Sequence, residues 1–394
     1  MAKQNQLNFN PMAWLRRNWI ALVVLSVILA GGVALYCVAH PAAEAQNAQT
    51  GDYVEYENAV VREIISDSCE PDEISENHMR GEQKFTAEVL TGQYKGKLLL
   101  IENTVGPIYG QRFDVGDKVT ISISTYSDGT IRSSVYEYDR STAIYILTAL
   151  FIVITVLVGG KVGAKSLVGL LLTVTALLWI LLPLLLQGWA TIPTTFLVCV
   201  MVACASFVIL GGVNRKTICA MLGTFAGIAL ATLLGLLAQT VLRIDGYRQE
   251  YAEALLQLRQ TGESAIGISG LVVSGVIISA LGAVMDVAMS ISSALNEIAS
   301  VGEDLTAHRL FKSGMNIGRD MVGTMTNTLI LAIIGSGLTL IVYICSLDLP
   351  IHEFLSSPYL ALELISGVAS SCGVVLAVPL TALISAFAYG KKHN

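Results

Sequence analysis

Eight apolar stretches limit what this chain can become. They run over residues 18–39, 142–158, 166–186, 194–211, 217–242, 265–288, 321–345 and 359–388. Each is near or above the ~20 residues that carry a helix across a bilayer core. Hydrocarbon offers no water to a bare backbone, so segments of this kind satisfy their own N–H and C=O groups as helices. The expected class is an α-helical polytopic membrane protein with about eight transmembrane helices. Composition agrees: 54% of the 394 residues are apolar and 14% are charged, whereas a soluble domain carries about 25% charged residues.

One region departs from this pattern. Residues 41–140 hold 18 of the 30 acidic side chains but only 9 of the 24 basic ones. The overall net charge of −6 therefore conceals an acidic insert in a mildly basic body. Within residues 46–140, EYENAVVREII, KFTAEVLTGQYKGKLLLIENTV, DKVTISIST and GTIRSSVYEY are β-rich runs punctuated by Gly, Asp, Asn and Pro. FDVGDKV reads as a turn delivering a strand. The expectation is a small all-β domain, a five-stranded OB-like or SH3-like barrel. It shows no aromatic–basic surface for nucleic acid. A docking module or ligand binder fits better, with an extracytoplasmic protein or ligand as its partner.

Charge also orients the chain. With a cytoplasmic amino terminus, the inner segments hold Lys3, Arg16, Arg17, Lys161, Lys165, Arg215, Lys216, Arg309, Lys312, Arg319, Lys391 and Lys392, whereas the short outer loops hold Arg243, Arg248 and Arg259. This is the positive-inside bias. It places residues 1–17 and 391–394 in the cytoplasm and residues 40–140 outside the cytoplasmic membrane. Residues 18–39 become an anchor and residues 142–390 a seven-helix membrane domain. The apolar run of the anchor exceeds the ~7–15 residues of a signal peptide, although AAEA at 42–45 leaves cleavage open. Six of the seven cysteines lie in or beside apolar spans, and none forms a CxxC, so neither a disulfide framework nor a metal site is indicated.

Several local patterns call for a packing or turn explanation. VGGKVGAKS at 158–166 and LGGVNRK at 210–216 each close one span with Gly-Gly and pass a basic pair, a weak repeat of parallel type. The first is no P-loop, because Ala164 stands where the second glycine belongs. Gly223, Gly227, Ala231 and Gly235 form a small-xxx-small patch suited to close helix packing. Residues 245–264 contain a short amphipathic helix expected on the membrane surface or against the β domain.

The polar residues of the apolar body concentrate between 264 and 345. Asp286, Ser290, Ser293 and Glu297 are spaced 4, 3 and 4 apart, so they share one helix face. Asn316, Asp320, Gly323 and Asn327 repeat that spacing beyond a charged connector, with Arg319 alongside. Glu363 is an isolated carboxylate in the last span, upstream of Pro379. With the sixth span entering near Ala265, Asp286 lies roughly 30 Å along it at about 1.5 Å per residue, at the cytoplasmic edge of the hydrocarbon. Arg319 and Asp320 open the seventh span at the same depth. Polar groups there face protein or water. Paired stripes of carboxylate, hydroxyl and amide can hold a cation or relay a proton. The alternative is structural: an Asp286–Arg319 ion pair with Ser and Asn as interhelical glue.

These segments resemble the YibE/F family of bacterial membrane proteins. The resemblance rests on GAVMDVAMSISSALNE (282–297), FKSGMNIGRDMVGTMTNTLILAIIGS (311–336) and VGGKVGAKSL (158–167). TGQYKGKLLLIENT, FDVGDKV and YEYDR extend it through the β-rich region. It covers the chain from about Val54 onward and implies a multi-pass membrane protein without an established activity. Two functions stay open. The first is a transporter-like permease whose polar path runs along Asp286, Ser290, Ser293, Glu297, Asn316, Arg319, Asp320, Asn327 and Glu363. The second is a non-catalytic assembly or sensing protein. No HExxH or GxSxG element suggests an enzyme, and no cofactor is expected. The bilayer is the expected partner, and a homo-oligomer stays open.

Overall fold

The computed structural model describes residues 53–390, apart from 74, 76–77, 126–130, 250, 263, 303–305 and 348–349. The anchor expected over 18–39 and the terminal segments 1–17 and 391–394 lie outside the described residues. The chain divides between residues 157 and 158 into a β unit and a helical unit.

The β unit is a small barrel. Its strands are β1 (Tyr53–Asp67), β2 (Glu70–Pro71), β3 (Met79–Val89), β4 (Leu98–Val105), β5 (Lys118–Thr125) and β6 (Ile131–Tyr138). At 15 residues, β1 is long enough to serve two neighbours: Tyr53–Val60 pairs with β5, and Ala59–Asp67 pairs with β3. β3 continues to β4, and β5 continues to β6. A single parallel contact, Glu102 with Ser134, closes the ring between β4 and β6. β2 is a short hairpin partner of β3 outside that ring. The alternation expected of half-buried strands is clear in β3, where Gln83, Phe85, Ala87 and Val89 point inward. Phe85 and Phe113 meet edge to face at 5.9 Å in the centre, beside Ile101, Ile121 and Ile123.

Two polar devices hold the loop that delivers β5. Buried Gln83 donates from Nε2 to the Phe113 carbonyl at 2.8 Å, and the Phe113 N–H donates to Gln83 Oε1 at 3.1 Å. In the FDVGDKV turn, the Asp114 N–H donates to the Asp117 carboxylate at 2.8 Å, and Gly116 takes φ +99°, open to glycine without strain. Outside the core, Asp67 accepts from the Cys69 N–H at 3.0 Å and from Arg112 Nε at 2.7 Å. These bonds, the Cys69 one first, hold the Asp67 carboxyl below its ordinary range. Burial, reinforced by Asp67, pushes the Cys69 thiol up to about 11.

The helical unit begins within α1 (Ser141–Ala176), which breaks at Gly160 (φ 54°, ψ −134°) and leads through a π turn at Leu177–Leu181 into α2 (Leu182–Leu186). There follow α3 (Thr191–Gly211), α4 (Arg215–Val241), α5 (Ala252–Gln260), α6 (Leu271–Val301), α7 (Ala307–Ser336), α8 (Leu338–Ser346), α9 (Ile351–Ser356) and α10 (Pro358–Tyr389). The two Gly-Gly turns behave alike, since Gly212 after α3 takes φ +70° where Gly160 takes +54°. Seven spans were expected over these residues. Among the described residues, five helices are long and apolar enough to cross a membrane, six if α7 and α8 count as one bent span. The difference has two sources. Residues 141–186 form one 46-residue apolar stretch that includes Lys161 and Lys165, and the expected span 321–345 is bent by 63° at Gly337.

α10 is the centre of this unit, packed against α4, α6 and α7. The small-xxx-small patch of α4 meets it directly. A Cβ on Gly223 would lie 2.1 Å from Thr381 Oγ1, and one on Gly227 would lie 2.8 Å from Ala377 Cβ. Gly373 of α10 returns the fit against Ala231, at 2.6 Å. α7 approaches the same way: Gly318 faces Val378 and Gly314 faces Ala382 and Leu295. α10 runs unbroken through Pro379. α5 turns Ala252, Leu255 and Leu256 to the helical core, so the short amphipathic helix packs on the helical body.

Two outcomes test these contacts. Gly223→Val overfills the α4–α10 crossing and costs about 1–3 kcal/mol, read as a lower melting temperature of the detergent-solubilised protein. Gly159→Ala, where nothing lies within 4 Å, leaves the melting temperature unchanged. In the barrel, a carboxyl held low in the folded state contributes stability that is present above about pH 4 and is lost as pH falls through the folded value. Hydrogen-exchange protection of β1 and β3 therefore declines in acid, and Asp67→Asn shows less of that acid-dependent loss.

Candidate functional site

The structure places the two polar stripes on the outside of the helical unit. On α6 the inward face is apolar: Ile277, Ala280, Val284, Ala288, Ile291 and Leu295 are buried. At about 100° per residue, Asp286, Ser290, Ser293 and Glu297 fall on the opposite side. Asp286, Ser290 and Glu297 are exposed and Ser293 is half-buried. Gly275 and Gly282 extend that exposed line, and a Cβ on either would meet nothing within 4 Å. α7 repeats the arrangement. Gly314 and Gly318 form its inward contact, while Asn316, Arg319, Asp320, Gly323 and Asn327 are exposed.

The two stripes consequently do not enclose a shared internal site. Among the described residues, Asp286 and Arg319 form no ion pair with each other. In the same set, Asp286, Asp320, Asn316 and Asn327 have no side-chain hydrogen-bond partner. No group of three or more His, Cys, Asp or Glu side chains converges on a metal position among them either.

What lies inside is a line of hydroxyls, without the charge that marks the outer stripes. Ser279 of α6 and Ser370 of α10 share a hydrogen bond at 2.5 Å. Ser292 of α6 donates to the Lys216 carbonyl at 2.8 Å and lies 3.1 Å from the Tyr389 hydroxyl of α10. Between these levels, Thr224 of α4 and Thr381 and Ser385 of α10 are fully buried, and among the described residues the Thr224 and Thr381 hydroxyls have no hydrogen-bond partner. The signal was present as Thr381, Ser385 and Tyr389 at intervals of four on one face of α10. It is weak because Ser and Thr also serve as ordinary packing residues in apolar helices.

Glu363 belongs to a separate place. It is half-buried beside the α7–α8 bend, where the position of a Cβ on Gly337 is 3.5 Å from its Cδ. A half-open cavity of about 900 Å³ lies there, lined by Glu363, Ser366 and Tyr359 of α10, Gly337 and Tyr343 at the bend, and Arg248 of the loop before α5. Glu363 thus shares a broken helix and a cavity, whereas the stripes share neither. The geometry separates residues needed for folding from residues free for other work. Ser292→Ala removes bonded buried contacts and costs about 1 kcal/mol, while Asp286→Asn and Asp320→Asn leave the melting temperature of the detergent-solubilised monomer unchanged.

Comparison with known proteins covers both units. The family model described as YibE/F-like protein matches residues 147–391, and the model of the YibE/F family N-terminal domain matches residues 56–138. No curated protein and no solved structure matches the chain. The long apolar helices fit a membrane protein, and the chain belongs to the YibE/F family.

Proposed function

We propose that this chain is a multi-pass protein of the cytoplasmic membrane and acts as a transporter-like permease for a small solute or ion. Gly160 divides the stretch 141–186 into two spans, and α7–α8 forms one bent span. With residues 18–39, that gives eight spans and puts both termini in the cytoplasm, with residues 40–140 outside. The observation that carries the reading is the placement of polar groups along α6 and α7. Each helix is held by an inward face, apolar on α6 and glycine-lined on α7, yet α6 presents carboxylates and hydroxyls along its other face and α7 a carboxylate and amides. Such groups are costly against hydrocarbon and belong to a water-filled or protein-lined path. The broken span beside Glu363 agrees, because unwound helix segments in transporters line cavities. The reading assigns no enzymatic step to any residue.

A second reading has its own observation. The β4–β6 seam of the barrel is held by one ladder pair, and it leaves a crevice of about 280 Å³ lined by Tyr109, Phe113, Tyr136, Glu102 and Glu137. A non-catalytic assembly or sensing protein would use such a crevice for an extracytoplasmic partner. The parallel closing contact supports the OB alternative for this barrel, a fold that hosts many binding functions.

The two readings separate in a deletion strain screened against metal, pH and envelope-antibiotic stress. For a permease, Asp286→Asn or Asp320→Asn abolishes complementation at wild-type membrane levels. Full complementation by both variants, with loss only on deletion of residues 46–140, removes the permease and leaves the assembly reading.

A further inference from the structure

We propose that the exposed faces of α6 and α7 are the contact surface for a second copy of this chain, with α6 of each copy lying against α7 of the other around a two-fold axis along the membrane normal. The proposal rests on the uncovered stripes and holds whether or not the protein transports anything.

The first argument is the solvent. A helix face turned to lipid carries large apolar side chains, and α1 does so, with Leu157, Leu171 and Val174 exposed. The outer face of α6 carries Gly275, Gly282, Asp286, Ser290 and Glu297 instead. Small residues without a neighbour permit close backbone approach, and unpaired polar residues supply interhelical hydrogen bonds. A face that combines both is built for another helix.

Charge selects the occupant. The apolar span 18–39 has no charged side chain between Trp19 and Ala39, and neither does 142–158. Arg16, Arg17 and Lys161 stand only at the inner ends of these stretches, so neither stretch offers a counter-charge at the depth of Asp286. The chain's own α7 stripe does, and its order along the helix is the right one. α6 runs toward the connector at 302–306 and α7 runs away from it, so depth is measured from the same end. At about 1.5 Å per residue, Glu297 lies about 6 Å and Lys312 about 8 Å from that end. On the same scale Asp286 lies at about 22 Å and Arg319 at about 18 Å. Gly282 and Asn327 lie at about 28 and 30 Å. A two-fold axis along the membrane normal keeps depth unchanged. It therefore brings each acidic group of α6 level with a basic group of the partner's α7, twice per dimer, and sets the unfilled glycine against an amide. An isologous contact requires this self-complementarity.

The test uses the full chain in lipid nanodiscs. The wild-type protein has the mass of two 42.0-kDa chains. In a background with the native cysteines replaced, copies carrying Gly282→Cys are mixed with copies carrying Asn327→Cys and oxidised. They give a covalent dimer at least ten-fold above that from copies carrying Leu171→Cys on exposed α1. A monomer mass for the wild-type chain overturns the proposal. So does a dimer mass with no cross-link between positions 282 and 327, or equal cross-linking at 171. A cross-link at monomer mass between Ser26→Cys and Gly282→Cys overturns it as well, because the stripe is then covered by the chain's own first span. If the cysteine-replaced background does not fold, the wild-type mass decides.

Discussion

The helical unit depends on the close crossing of α10 with α4 and α7. Gly223, Gly227, Gly314, Gly318 and Gly373 bring backbones together at distances no other residue allows. In a bilayer this is the main source of cohesion, since lipid tails are as apolar as leucine and burial alone drives no helix together. Once α10 is enclosed by α4, α6 and α7, each surrounding helix has turned its packing face to the centre, small residues on α4 and α7 and aliphatic ones on α6. Its outer face is then free of packing duty, and on α6 and α7 that is where the polar residues stand.

The same constraint explains why some features could be read from the sequence and others could not. The spacing Gly223, Gly227, Ala231 announces a close crossing, but nothing local names the partner, because Gly373 and Ala377 lie some 150 residues away. The polar stripes are legible as stripes through their helical period. Their direction is not. In water an amphipathic helix turns its polar face out, but in a membrane protein that rule loses its sign. What decides for α6 is the opposite face, where Val284, Ala288 and Ile291 fit against the body. The hydroxyl line was hidden for a different reason: Ser and Thr carry little sequence signal in an apolar helix.

The barrel was easier because its patterning obeys the rule for water. Alternation in β3, the Asp-Val-Gly-Asp turn and the Gly and Asn punctuation all point to short antiparallel strands. The double use of β1 by β3 and β5 was not visible, since a 15-residue strand looks the same whether one neighbour or two share it. The Gln83 clamp was likewise hidden: a lone glutamine in a strand reads as surface until the Phe113 backbone is seen to need both its amide groups.

The segments that identify the family coincide with the outer faces and not only with the glycine crossings. GAVMDVAMSISSALNE contains the inward Val284, Ala288, Ile291 and Leu295, but also Asp286, Ser290, Ser293 and Glu297 pointing the other way. If lipid were the only neighbour of that outer face, leucine or valine there would be cheaper at every position, since each charged group at helix-centre depth costs about 2.5–3.5 kcal/mol on insertion scales. Asp286, near the inner end of the span 265–288, and Asp320, just before 321–345, bear part of that cost without an intrachain partner among the described residues. Some interaction beyond the described residues therefore has to offset it, whether water, solute or another helix. The functional question for this fold accordingly sits at the periphery of the helical unit, where α6 and α7 leave their polar faces open.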